Sequence, residues 1–328
     1  MRAMMEGLGV AIATPFDDQG GLDIEAFERL LAFLCGDAFE PAAGKYAEQT
    51  FRSQERYLAF RSFWEAESGG ADFIVVLGST GEGATIEPDE RRLLLERAVA
   101  ASRGRPIVAG TGSNSTATCV RLTREAVELG ADAVLVVVPY YNKPNPDGLV
   151  AHFSAAAEAA EGKPVIVYNV PGRTGLNLTP AVLERLWRID GIAAVKESSG
   201  NLAQIGEICR TLPEGKLVFS GDDALALPSI AVGAEGLVSV AANVLPRRCK
   251  ALVDAAREGK RDTARKLHAS LLPFMDALFV ESNPIPLKAA LGLTGLCGEM
   301  VRLPLAPASQ ATKERLKTSL GMLGVQVS

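Results

Sequence analysis

The residues of this 328-residue chain that could do chemistry are one lysine at the end of an apolar run and a set of hydroxyls, phenols and one arginine at the ends of similar runs. Lys196 follows Ile192-Ala193-Ala194-Val195, so its amine leaves a buried strand end where a hydrated ammonium is costly. A neutral amine there can attack a ketone and form an imine, which turns an adjacent methyl into a nucleophilic enamine without a metal. The competing role is an ion pair with a nearby carboxylate such as Glu197. Three further run ends carry Gly78-Ser79-Thr80-Gly81-Glu82, Pro139-Tyr140-Tyr141-Asn142 and Tyr168-Asn169-Val170-Pro171-Gly172-Arg173-Thr174-Gly175.

Other chemistries lack their residues. The two histidines, His152 and His268, are far apart, so a histidine-rich metal site is not available, and neither a metal nor a cofactor is expected. There is no Gly-x-Ser-x-Gly elbow and no Gly-x-x-x-x-Gly-Lys loop, and Gly110-Thr111-Gly112 lacks the third glycine of a dinucleotide fingerprint. A net charge of -5 removes the positive field that nucleic-acid binding needs. No apolar run approaches the roughly 20 residues of a membrane span. The first residues read as a mature N-terminus and the five scattered cysteines as reduced thiols, which together predict a cytoplasmic protein.

The elements that must position these residues repeat in one order. Apolar β-branched runs near residues 8–13, 73–77, 107–110, 133–138, 165–168, 192–196, 217–221 and 236–240 alternate with helical stretches rich in Ala, Leu, Glu and Arg. Their continuous apolar character predicts strands covered on both faces, and eight such units close a barrel. The fold expected is therefore an α/β (β/α)8 TIM barrel over 1–245, followed by a small C-terminal helical domain over 246–328. In that tail helical periodicity is broken by Pro273, Pro284, Pro286, Pro304 and Pro307. About residues 36–65 look inserted between the first helix and the second strand. That segment concentrates Phe39, Tyr46, Phe51, Tyr57, Phe60, Phe63 and Trp64 in a chain that is 6% aromatic, with Tyr57, Phe60 and Trp64 on one helical face. Folding back onto the lower side of the barrel is the simpler expectation, and contact with a partner the other.

The motifs taken together resemble the dihydrodipicolinate synthase and N-acetylneuraminate lyase superfamily of class I, Schiff-base aldolases. The resemblance covers nearly the whole chain through residues 9–15, GSTGE at 78–82, PYYNKP at 139–144, YNVPGRTG at 168–175, VKESSGN at 195–201, SGDD at 220–223 and NPIPLK at 283–288. Within the superfamily it is most similar to the branch that condenses pyruvate with aspartate semialdehyde in lysine and diaminopimelate synthesis. The resemblance implies that Lys196 forms the imine with pyruvate and that Tyr168 shuttles protons, with Ser79 and Tyr141 completing a hydroxyl relay. It implies that Ser79 and Thr80 hold the pyruvate carboxylate, that Gly221 and Val238 line the pocket, and that Arg173 captures the semialdehyde carboxylate. It also implies a homo-oligomer, a dimer of dimers, in which Tyr141 reaches the site at a dimer interface and Tyr140 packs across it.

Two departures bear on these expectations. Ser79 stands where many members have threonine, which keeps the hydroxyl and loses the methyl that restricts its rotamer. Gly83, Arg91 and Thr118 stand where lysine-inhibited members carry a serine, a histidine and a glutamate, while Asn114 and Tyr140 remain. Weak or absent inhibition by lysine is expected. The alternatives are a pyruvate-dependent aldolase or dehydratase acting on a 2-keto-3-deoxy sugar acid, which Arg173 disfavours, and a non-catalytic binding protein on the same fold.

Overall fold

Eight apolar runs become eight parallel strands in the computed structural model, which describes residues 5–39 and 53–327. They are β1 (Gly7–Ala11), β2 (Phe73–Val76), β3 (Ile107–Gly110), β4 (Ala133–Val137), β5 (Val165–Asn169), β6 (Ile192–Glu197), β7 (Leu217–Ser220) and β8 (Gly236–Ser239). Each pairs with its sequence neighbour, and β8 pairs with β1, so the sheet closes as a TIM barrel. Helices follow the strands around its outside: α1 (Ile24–Cys35), α2 (Gln54–Glu67), α3 (Pro88–Ala101), α4 (Thr116–Glu128), α5 (Pro146–Ala159), α6 (Pro171–Thr174), α7 (Pro180–Leu186), α8 (Leu202–Arg210) and α9 (Ala226–Ala231). After β8 come α10 (Pro246–Arg257), α11 (Arg261–Ala277), α12 (Ile285–Thr294) and α13 (Gln310–Met322).

The strands read as unbroken apolar runs because both of their faces are covered. Inward residues form one core, with Phe73 and Phe219 meeting edge to face at 5.4 Å between ring centroids. Outward residues form a second core against the helices. Gly9 makes the inner packing possible, since a Cβ there would lie 2.3 Å from the Phe73 ring.

Two expectations are corrected by tertiary contacts. The first strand was expected to reach residue 13, but Ala13 leaves the ladder and donates its N–H to Asn243 Oδ1 at 3.0 Å, while Asn243 Nδ2 donates to Ala11 O at 2.8 Å. A side-chain amide thus seals the β8–β1 corner where backbone pairing stops. Pro273 was expected to interrupt a helix, yet α11 runs through it. Burial of Leu271, Phe274, Met275 and Ala277 holds that turn together against a proline penalty of about 3 kcal/mol.

Between α1 and β2, the described part of the aromatic segment folds back onto the barrel. Phe60 and Trp64 are buried, Trp64 packs on Phe33 at 5.0 Å and on Phe39 at 5.5 Å, and its indole N–H donates to Asp37 O at 3.0 Å. Tyr57 meets Phe39 at 5.9 Å. Tyr46 and Phe51 lie outside the described residues. The segment also reaches the C-terminal helices, since Arg248 of α10 pairs with the buried Glu67 at 2.5 Å. No helix among the described residues is long and apolar enough to cross a membrane.

Candidate active site

The ends of β5 and β6 place Tyr168 and Lys196 side by side. The two residues are register partners, both are buried, and Lys196 Nζ lies 4.4 Å from the centre of the Tyr168 ring. Period-two alternation then decides the fate of the neighbouring carboxylate. Glu197 faces the other way, accepting from Asn169 Nδ2 at 2.9 Å and from the Ser199 N–H at 2.8 Å, so the competing ion-pair role for Lys196 is not the one the fold uses.

Lys196 has room because the residue just past the end of β7, two beyond its strand partner Phe219, is a glycine. A Cβ at Gly221 would lie 2.8 Å from Lys196 Cε and 1.9 Å from Ser198 Oγ, a hydroxyl that is buried without a hydrogen-bond partner. Val238 belongs to the same inner core as Tyr168. Behind β7 and β8, the buried Asp223 carboxylate accepts from Ser239 Oγ and from the Val240 N–H at 2.9 Å. Burial pushes its carboxyl above the ordinary range, and these hydrogen bonds oppose the shift.

The loop after β2 presents Ser79 and Thr80. Thr80 is buried, and its hydroxyl accepts from Asn283 Nδ2 at 3.0 Å, which leaves the hydroxyl proton free for an anion. Asn283 also accepts, through its backbone carbonyl, from an Arg173 NH2 group at 2.7 Å. One residue before α12 therefore sets both the β2 loop and the arginine of α6. Two residues beyond Thr80, Glu82 forms a 2.6 Å ion pair with Lys288 of α12, with the two side chains 2% and 0% exposed.

Tyr140 and Tyr141 behave differently from the rest. Tyr140 lines a cavity of about 310 Å3 together with Ser79 and Arg173. Tyr141 is 87% exposed and holds a left-handed backbone at φ 71°, so within one chain its phenol stands out in solvent and does not join Ser79 and Tyr168. A non-glycine residue at positive φ costs free energy, and such residues cluster at working loops. Here Leu77 and Glu82 in the β2 loop and Tyr141 and Lys143 in the β4 loop all adopt it.

The two histidines stand on helices. His152 of α5 is buried with its Nδ1 2.9 Å from Thr116 Oγ1, and burial pushes both it and His268 of α11 below the usual imidazole range. Among the described residues, no group of three or more His, Cys, Asp or Glu side chains is placed to hold a metal ion.

Comparison with known proteins turns this geometry into a family. The model of the dihydrodipicolinate synthetase family matches residues 65–322. This chain belongs to that family. A 4-hydroxy-tetrahydrodipicolinate synthase of Pelobacter propionicus is 41% identical over 98% of this chain and 100% of its own length. The solved dihydrodipicolinate synthase of Aquifex aeolicus superposes with a TM-score of 0.85 at 37% identity, covering 99% of this chain and 100% of that one. A monomeric dihydrodipicolinate synthase variant matches equally well, with a TM-score of 0.85 at 35% identity and 98% of both chains.

Sequence reasoning found the residues at strand ends and missed those that hold them. Asn283, Glu82, Lys288, Asp223, Asn169 and Asn243 carried no assigned role, although several sit inside the motifs quoted above. The available signal was a charge or amide within an apolar context, as in Pro-Ile-Pro-Leu-Lys-Ala-Ala-Leu at 284–291. Such a group is buried only with a partner.

Proposed function

We propose that this chain condenses pyruvate with L-aspartate 4-semialdehyde through an imine at Lys196, the reaction of a 4-hydroxy-tetrahydrodipicolinate synthase. The observation that carries the proposal is the buried pairing of Lys196 with Tyr168 at the C-terminal end of the barrel. The neutral amine attacks the pyruvate ketone, water leaves, and the imine carbon draws electrons from the adjacent methyl. Loss of a methyl proton gives an enamine whose carbon attacks the aldehyde of the second substrate. The semialdehyde brings its own amine, which displaces Lys196 from the adduct and frees the enzyme.

Each step has a group beside it. The Tyr168 phenol moves protons to and from the imine. Ser79 and Thr80 take the pyruvate carboxylate through hydroxyls and backbone N–H groups, and Thr80 is pre-oriented by Asn283. Gly221 and Val238 wall the pocket. Arg173 offers its fork to the semialdehyde carboxylate. Tyr141 enters the relay from a second copy of the chain, with Tyr140 packed across that contact, in a cytoplasmic dimer of dimers. Its 87% exposure within one chain supports this arrangement, and a single-chain mass by light scattering with full activity would remove it.

The reaction is tested by incubating the protein with pyruvate alone and with both substrates. Pyruvate consumption only when the semialdehyde is present is expected, whereas turnover of a 2-keto-3-deoxy sugar acid in its place would move the assignment to another aldolase. Arg173→Gln is expected to raise the KM for the semialdehyde about 10- to 100-fold, the worth of a charge-assisted hydrogen bond, and to leave pyruvate capture unchanged. An equal loss for both substrates would show that Arg173 acts through the fold. With glycine, arginine and threonine at positions 83, 91 and 118, lysine at sub-millimolar concentration is expected to leave the rate unchanged.

A further inference from the structure

One hydroxyl on the rim of the barrel has no task in the condensation as it stands. Ser198 is two residues beyond Lys196, and its N–H donates to Asn169 O at 2.8 Å, so the extended backbone of β6 continues through it. Period-two alternation puts its side chain on the same face as Lys196, roughly 6–7 Å nearer the open end of the barrel. The surroundings of Gly221 agree, since a Cβ there would collide with Ser198 Oγ and with Lys196 Cε and Cγ at once. The serine hydroxyl and the lysine stem therefore lie against one point past the end of β7.

The serines beside it are engaged, and Ser198 is not. Ser199 Oγ accepts from the Asn201 N–H at 3.2 Å, and Ser220 Oγ donates to Asp222 O at 2.8 Å. Ser198 Oγ is buried without a hydrogen-bond partner. A buried hydroxyl with neither its proton nor its lone pairs in use is held at a cost in free energy, which a partner arriving with substrate removes. The residue as a whole is half-buried, and a single side-chain torsion moves Oγ among its staggered positions. The hydroxyl can thus meet a group that enters from the open end.

The chemistry at Lys196 decides which group that is. Once pyruvate is held as the enamine, the new bond joins its terminal carbon to the aldehyde carbon, so only two carbon atoms separate the imine carbon from the aldehyde oxygen. That oxygen lies close to Lys196 in every productive pose, whereas the ammonium and carboxylate of the semialdehyde lie farther along, toward Arg173. As the bond forms, the carbonyl π pair moves onto the oxygen, and negative charge develops where a fixed donor is worth most. We propose that Ser198 is a further catalytic residue, whose hydroxyl donates to the aldehyde oxygen as it becomes an alkoxide. Tyr168 returns to this oxygen the proton it took from the pyruvate methyl, and the enamine nitrogen becomes the iminium, so Ser198 keeps its own proton. The proposal rests on the imine at Lys196 and deepens it by naming the group that meets the reacting atom of the second substrate.

The test compares the unmodified full chain with Ser198→Ala, which removes a single oxygen. Borohydride trapping of the pyruvate imine and exchange of the pyruvate methyl hydrogens in deuterated water both precede the aldehyde, and both are expected to match the unmodified protein. With both substrates, kcat and kcat/KM for the semialdehyde are expected to fall together about 10- to 100-fold with KM unchanged, as loss of an interaction made only in the transition state requires. An unchanged kcat would overturn the proposal. So would a loss carried by KM alone, which would make Ser198 a contact to the ground state. A parallel loss of trapping and exchange would overturn it too, by showing that the hydroxyl only shapes the Lys196 pocket. No adduct on the unmodified protein would instead remove the condensation on which the proposal rests, so the two failures are told apart.

Discussion

Lys196→Ala is expected to abolish the adduct that pyruvate and borohydride leave on the protein, and to lower kcat/KM by roughly four orders of magnitude or more, as loss of a covalent nucleophile does. Intact-mass spectrometry reads the adduct directly, without the second substrate. The expectation follows from geometry: Lys196 is a buried amine-bearing side chain whose adjacent carboxylate, Glu197, is turned to the opposite face of β6 and occupied by Asn169 and Ser199. Nothing at Glu197 therefore competes with the ketone for the amine. Tyr168→Phe separates the roles of the pair. It removes only the hydroxyl, so the adduct should still form, more slowly, with kcat reduced about 10²- to 10⁴-fold, the usual worth of a positioned acid or base. An adduct that persists in Lys196→Ala would move the imine to another lysine. An unchanged rate in Tyr168→Phe would take the proton transfer away from this phenol and give it to the relay hydroxyls.

The pair was legible in the sequence for a physical reason. A strand covered on both faces must be apolar almost throughout, so a polar residue at its end is conspicuous, and in a parallel barrel every such end lies on one rim. Lys196 after Ile-Ala-Ala-Val and Tyr168 after Val-Ile-Val stand out in this way, and the eight strands themselves appeared within one or two residues of their positions. What was not legible came from distant parts of the chain. The end of β1 is fixed by Asn243, 230 residues away, and the β2 loop by Asn283, 203 residues away, and no local pattern announces either contact. Pro273 misled in the opposite direction, since local propensity spoke against a helix that burial nevertheless holds. The exposure of Tyr141 is likewise a property of the folded loop, because a tyrosine in Pro-Tyr-Tyr-Asn looks the same whether it points into its own barrel or away from it.

The ion pair between Glu82 and Lys288 shows how a contact absent from the chemistry can govern it. Both groups are almost wholly buried, and their charges are compensated by few partners: Lys288 donates to Met300 O at 2.7 Å and lies 3.9 Å over the Phe16 ring, while Glu82 accepts from the Arg302 N–H at 3.0 Å. Burial pushes the Lys288 ammonium below the ordinary lysine range, and Glu82 opposes that shift. Lys288→Met is expected to destabilise the fold by about 3–5 kcal/mol, because it leaves a carboxylate buried without its counter-charge. Adding Glu82→Gln should return much of that loss, since the neutral amide can still accept from Arg302 and no longer needs a cation. A double-mutant cycle in urea, at one protein concentration, measures the difference. Additive losses would mean that the two side chains matter separately, for packing alone. The functional consequence has its own readout. Glu82 lies three residues after Ser79 and two after Thr80, in a loop where Leu77 and Glu82 are held at positive φ, and that loop is gripped twice, by Lys288 of α12 and by Asn283 just before that helix. Releasing the Lys288 grip is expected to raise the KM for pyruvate in the single variant and to lower it again in the double one, while the adduct formed at saturating pyruvate keeps its mass. The hydroxyls that hold the pyruvate carboxylate are then positioned by a charge that touches neither substrate, which is why a motif far along the chain belongs to the same site.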